Sequence, residues 1–212
     1  MIKKLIDIIF PESCVICGRI YSKPICPKCF IKLKKEINFY KIKEKEFNIF
    51  FLSFYEGTIK KLILDFKFKE SGYLYNFFTE LFIRNNQTKE LIQKYDYTVP
   101  VPMYYENKII RGYNQIELIT KKLEQELGIK ELQCLEKVKK NKKQSLLTEK
   151  ERIKNVKDVY KLKNDTQIKN KKILLIDDIY TTGSTTKECI KKLKEGRPKK
   201  IDVLVISKSK KG

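Results

Sequence analysis

The 212-residue chain contains no histidine. That absence removes Ser-His-Asp and Cys-His nucleophile systems and any histidine-ligated catalytic zinc, so acid–base work falls to Asp, Glu, Lys or Tyr. Long apolar runs are missing too: nothing approaches the ~20 apolar residues of a membrane span. No Gly-x-x-x-x-Gly-Lys-Ser/Thr loop occurs, which excludes a P-loop ATPase even though one apolar run ends in two aspartates. Arginine is scarce, with Arg19, Arg84, Arg111, Arg152 and Arg197 among 47 basic residues. No internal repeat and no helix-turn-helix pattern is visible.

What remains is a strongly cationic chain able to fold. At 42% hydrophobic it can bury a real core in one main domain with a small appendage, and its formal net charge of +21 calls for an anionic partner, a substrate or a nucleic acid. Residues 1–10 are basic and apolar like a secretion signal. Asp7 interrupts them, Pro11 ends them early and no small-residue cleavage site follows, so a short amphipathic helix burying Leu5, Ile6, Ile9 and Phe10 is expected, in a cytoplasmic protein.

Cys14-x-x-Cys17 and Cys26-x-x-Cys29 are two pairs at tetrahedral-ligand spacing, eight residues apart. In a reducing compartment this favours one structural Zn²⁺, the alternatives being a redox dithiol or four cysteines without metal. Four thiolates leave no open coordination position, so such a zinc is structural. Cys134 and Cys189 have no neighbours at ligand spacing and read as buried apolar residues.

The boundaries expected are residues 1–46 for helix, knuckle and linker and residues 47–212 for the main domain. Residues 32–46 are lysine-rich and read as a linker or exposed helix. A strand is expected over residues 47–55, and a helix over 58–66 with Ile59, Leu62 and Ile63 inside. A turn follows at Ser71-Gly72, then a helix carrying Leu74, Phe77, Phe78 and Leu81 and ending near Asn85-Asn86. Residues 95–101 form the next strand, and Pro100 and Pro102 predict a rigid loop leaving the sheet's carboxyl edge. Arg111-Gly112-Tyr113-Asn114-Gln115 is expected to open a helix burying Ile116, Ile119, Leu123 and Leu127 and stopped by Gly128. Residues 137–143 hold five lysines, Thr148-x-x-Glu151 reads as a capping box, and residues 158–162 as an edge strand. Residues 201–206 supply another buried strand.

The most informative stretch is residues 173–186. Ile173-Leu174-Leu175-Ile176 reads as a strand buried on both faces, ending at Asp177 and Asp178. Thr181-Thr182-Gly183-Ser184-Thr185 then leads into a helix with Cys189, Ile190 and Leu193 inside, stopped at Gly196. Outward-pointing amides at a helix N-terminus, with hydroxyls beside them, cradle a phosphate. Ionised carboxylates at a strand's carboxyl end accept from neutral donors such as ribose hydroxyls, or hold a metal ion. The expected ligand is a phosphorylated sugar.

This stretch resembles the phosphoribosyl-pyrophosphate signature of the type I phosphoribosyltransferases. Val99-Pro100-Val101-Pro102, Arg111-Gly112-Tyr113-Asn114-Gln115, Gln144-x-Leu146 with Arg152 and Asn155, the Asp-Asp-x-x-Thr-Thr-Gly-Ser-Thr loop and the four cysteines, taken together, resemble the ComF competence proteins over nearly the whole chain. Where that family carries arginines before Gln144, this chain has lysines. The resemblance implies an α/β fold, a mostly parallel sheet flanked by helices, with an N-terminal zinc knuckle. It also implies a protein that binds phosphoribosyl pyrophosphate with Mg²⁺ and acts in DNA uptake during natural transformation, beside a competence helicase and single-strand-handling proteins. Thr181, Thr182, Gly183, Ser184 and Thr185 would hold the 5′-phosphate, and Asp177 and Asp178 would face the ribose hydroxyls. Pro100, Val101 and Pro102 would lie by the pyrophosphate, with Arg111 on a loop closing over it. Two readings follow: a phosphoribosyltransferase with an unidentified acceptor, or a non-catalytic competence factor that grips single-stranded DNA through its lysines and uses the sugar-phosphate site for regulation. A transcriptional regulator on the same fold is a third.

Overall fold

The structure is a computed structural model and describes residues 13–68, 73–139, 158–163 and 165–210. A six-stranded sheet runs in the order β1-β2-β8-β7-β3-β4, parallel except where β1 meets β2. Its strands are β1 (Tyr40–Lys43), β2 (Asn48–Phe54), β3 (Tyr97–Pro100), β4 (Lys130–Glu131), β7 (Lys172–Tyr180) and β8 (Lys200–Lys208). The helices are α1 (Pro27–Lys34), α2 (Gly57–Phe68), α3 (Leu74–Arg84), α4 (Asn86–Ile92), α5 (Tyr105–Arg111), α6 (Gln115–Leu127) and α7 (Ser184–Glu195). β5 (Leu135–Lys137) and β6 (Tyr160–Leu162) pair antiparallel in a separate small sheet.

Strand alternation divides the core in two. Leu174 and Ile176 of β7, with Phe50, Leu52, Leu204 and Ile206, face one side and pack under α2, α3, α4 and α6. Ile173 and Leu175, with Ile49, Phe51, Val203 and Val205, face the other and meet α7 and the β5/β6 sheet. All four apolar residues from Ile173 to Ile176 are fully buried, as a continuous apolar strand between two layers must be.

The cysteine knuckle joins the first layer. Cys14, Cys26, Cys29 and Leu33 belong to the same apolar cluster as Phe50 and Phe78, and Glu36 bonds the backbone N–H and hydroxyl of Thr58 at the start of α2.

Several expectations change. The lysine-rich stretch before residue 47 is no linker throughout: Tyr-Lys-Ile-Lys forms the antiparallel edge strand β1, its side chains alternately half-buried and exposed. Lysines on an edge strand discourage further pairing. Asn85 ends α3 but also caps the unforeseen α4, its side chain accepting from Thr88 N–H at 3.0 Å. Arg111 does not open α6; it ends the separate helix α5, and Gly112 takes the left-handed conformation (φ 81°) that stops it. β6 pairs with β5 rather than with the central sheet. The expected helix over residues 1–10, the Ser71-Gly72 turn, the Gln144 motif and the Thr148 capping box lie outside the described residues.

Candidate functional site

The site forms where the chain changes direction. From β3 the chain leaves through α6 on one face toward β4, and from the adjacent β7 it leaves through α7 on the other face toward β8. The carboxyl ends of β3 and β7 therefore splay apart, and in open α/β sheets ligands bind in that crevice. A cavity of about 400 Å³ occupies it, lined among others by Val101, Pro102, Arg111, Asp177, Asp178 and residues 181–186. This volume suits a ligand the size of a phosphorylated sugar.

Pro100 does not line the cavity; it is buried in β3 opposite Ile176. Its tolerance in an internal strand has a simple cause. Val101 N–H bonds Ile176 on the β7 side, so the neighbouring residue's missing N–H points toward β4. β4 pairs only with Tyr97 and Thr98, so no ladder bond is lost.

The same alternation that divides the core divides the two aspartates. Asp178 follows Leu174 and Ile176 onto the α2 face, where Lys67 at the end of α2 pairs with it at 2.9 Å. Asp177 follows Ile173 and Leu175 onto the α7 face, where it feels the positive charge of Lys67 and, more weakly, of Lys137 on β5. Burial and the adjacent Asp178 carboxylate push Asp177 up to about 7, against the pull of Lys67 and Lys137. Burial alone would lower Lys67, but Asp178 and Asp177 outweigh it and hold its ammonium above the usual lysine range. Arg111 lies over the Phe68 ring at 5.5 Å, and burial lowers its guanidinium while Asp178 opposes.

The turn after β7 closes on glycine. Gly183 has φ 74°, and an added Cβ would overlap the Tyr180 ring, so glycine alone fits. Thr182 and Ser184 share a hydroxyl hydrogen bond at 2.8 Å, and the first turn of α7 carries no acidic side chain. Its amides and partial positive charge thus face the cavity unopposed, while Lys192 and Lys194 complement the other end.

Arg111, Asn114 and Gln115 of the same motif line the cavity, and its side chains also brace the surrounding structure. Asn114 caps α6 by accepting from Ile116 N–H at 3.0 Å and donates to the Val101 carbonyl at 3.3 Å. The Tyr113 hydroxyl and the Gln115 amide both donate to the Phe66 carbonyl, at 3.2 and 3.3 Å. These three residues fix the β3 loop and the end of α2, and so place Lys67.

Lys67, Lys137 and Tyr160 also line the cavity, and sequence reasoning had not assigned them to it. For Lys67 a signal existed: Ile59, Ile63 and position 67 form one i, i+4 stripe, so a lysine continues a buried apolar face.

At the knuckle, the four cysteine sulfurs lie within 4.8 Å of one another, with Cys17 and Cys26 Sγ 3.8 Å apart. Tetrahedral ligands at Zn–S ≈ 2.3 Å would stand ~3.8 Å apart. Cys26 N–H donates to Cys14 Sγ at 3.4 Å, as amides do to metal-bound thiolates. The cluster can hold a metal ion. Among the described residues no helix is long and apolar enough to cross a membrane.

Residues 118–212 match the family model of the phosphoribosyl transferase domain. The chain is 29% identical over 154 residues to competence protein F of Haemophilus influenzae, an alignment covering 70% of this chain and 67% of that protein. It is also 48% identical over 46 residues, 22% of each chain, to the transcriptional regulator GfcR of Methanocaldococcus jannaschii. Residues 118–212 are therefore similar to the phosphoribosyl transferase domain, and the chain is similar to competence protein F over most of its length.

Proposed function

We propose that the chain binds phosphoribosyl pyrophosphate in the crevice between β3 and β7 and acts in the cytoplasm in DNA uptake during natural transformation. The observation that carries the reading is one cavity combining two carboxylates, an acid-free helix N-terminus behind Thr181, Thr182, Gly183, Ser184 and Thr185, and three cationic side chains. The threonine-rich loop takes the 5′-phosphate. Asp177 and Asp178 accept from the ribose hydroxyls, and Val101, Pro102 and Arg111 border the pyrophosphate. Arg111 and Lys67 offset its charge. Asp177 and Asp178, hard oxygen donors beside the ribose, would hold a Mg²⁺ ion brought with the substrate, and that ion would supply positive charge toward the diphosphate.

In this reading no side chain serves as nucleophile. Stabilising a departing pyrophosphate and a cationic sugar needs positioned charges more than a proton-transfer residue. The four cysteines hold a structural Zn²⁺.

Titration calorimetry with phosphoribosyl pyrophosphate and Mg²⁺ tests the reading. Heat should be released on wild-type protein, and Thr182→Val should weaken binding by about 1–3 kcal/mol by leaving the ligand phosphate one donor short. No heat from the wild type would sink the proposal. Pyrophosphate release across a panel of nucleobase acceptors, lost in Asp177→Asn, would mark a phosphoribosyltransferase. The second reading, a non-catalytic factor gripping single-stranded DNA and working beside a helicase, draws on the net charge of +21 and on the relative named a competence protein. It requires DNA affinity that falls with salt by several log units per log unit.

A further inference from the structure

Lys137 stands apart from the lysine run in which the sequence places it. It is the last residue of β5, two positions beyond the buried Leu135, so it shares that residue's inward face. Its ammonium lies 5.7 Å from the centroid of the Tyr160 ring on the paired strand β6, at the register position opposite. Burial raises the Tyr160 phenol, and the Thr185 side chain in the first turn of α7, close enough to act on its hydroxyl, pulls the other way. Lys137 thus hangs over the N-terminal end of α7, on the face to which Asp177 points, and it lines the cavity. It makes no ion pair with any described carboxylate. Its next-but-one neighbour Lys139 is exposed.

Lys67 and Arg111 approach the cavity from the opposite wall, beside Asp178. The three cations therefore form two groups, one on each side of the aspartates. We propose that Lys137 is a specificity-determining residue that contacts the sugar 5′-phosphate seated on the α7 N-terminus, leaving Lys67 and Arg111 to the pyrophosphate. This rests on the phosphosugar reading above. It makes the small β5/β6 sheet a functional part of the site: its antiparallel register presents Tyr160 as a platform that holds the lysine stem over Thr185. A cation held against an aromatic face, with no ion-pair partner among the described carboxylates, is placed to meet a ligand anion.

The test uses the full chain and calorimetric titration of three probes: ribose 5-phosphate, inorganic pyrophosphate with Mg²⁺, and phosphoribosyl pyrophosphate with Mg²⁺. Lys137→Met should weaken ribose 5-phosphate by about 10-fold or more, the loss of one charge-assisted contact. Pyrophosphate affinity should stay near wild type, Lys137→Arg should restore most of the loss, and Lys139→Met should change nothing. Unchanged ribose 5-phosphate affinity in Lys137→Met overturns the assignment. So does an equal loss for both probes with a lowered melting temperature, which would mean that the lysine only supports the fold. If wild-type protein binds none of the three, the phosphosugar reading itself fails, an outcome distinct from a selective failure at Lys137.

Discussion

Gly183→Ala is the sharpest structural perturbation of the phosphate loop. The residue sits at φ 74°, and a Cβ there would overlap the Tyr180 hydroxyl, lying 2.5 Å from Cζ and 2.9 Å from Cε2. Two costs follow. A left-handed conformation costs a non-glycine residue roughly 1–2 kcal/mol. Displacing a packed ring costs about 1–3 kcal/mol more. Tyr180 is only 3% exposed and its hydroxyl donates to Glu44 at 3.3 Å, so the ring cannot swing aside freely. The sum, about 2–5 kcal/mol, is a large part of the 5–15 kcal/mol that holds a domain folded. Urea denaturation of wild type, Gly183→Ala, Tyr180→Leu and the double variant separates the two costs. With the ring gone, Gly183→Ala should cost only the backbone part, giving a coupling of about 1–3 kcal/mol between the sites. Additive single effects, or a Gly183→Ala protein within about 0.5 kcal/mol of wild type, would refute the claim that the Tyr180 ring shapes this turn.

Three further outcomes follow from the same geometry. Asp177 has a folded value near 7 against 3.8 for a free aspartate, so between those pH values the native state keeps a proton that the unfolded chain gives up. Ligand-free stability should therefore fall as pH rises from about 4 to 7, and Asp177→Asn should remove that slope and stabilise the protein at about pH 8; a wild-type slope surviving in the variant would disprove the cause. Chelation, or Cys29→Ser, should lower the melting temperature of the whole protein in one transition, because Cys14, Cys26, Cys29 and Leu33 share a core with Phe50 and Phe78; a separate early transition by calorimetry would contradict that shared core. Asn114→Ala removes the α6 cap and a donor to the Val101 carbonyl, and should cost about 1–2 kcal/mol in denaturant while weakening pyrophosphate binding through the displaced β3 loop.

The parts of the site visible in the sequence are those whose physics is local. Four apolar residues, two acids and a run of small hydroxyl residues before a helix each dictate a conformation by themselves, and the structure places them at one sheet edge. The Arg111 motif is legible as part of the site, where Arg111, Asn114 and Gln115 line the cavity, but its bracing bonds are not. Its amides turn to the carbonyls of Val101 and Phe66, partners 13 and 49 residues away, and no spacing rule announces such bonds. Lys67 sits between Phe66 and Phe68 where a helix ends, and Lys137 opens a lysine run that reads as a surface for nucleic-acid phosphates, so neither is legible as part of the sugar-phosphate site. What distinguishes them is the face: Lys67 continues the stripe of Ile59 and Ile63, and Lys137 lies in phase with Leu135. A cation in phase with buried neighbours loses its hydration unless an anion replaces it, so it marks a place where negative charge must be present or must arrive. For Lys67 that anion is Asp178, already in place. Among the described residues Lys137 makes no ion pair, and burial together with Asp178 pushes its acidic neighbour Asp177 up to about 7, so on that wall the negative charge is only partly supplied and a ligand anion would complete it.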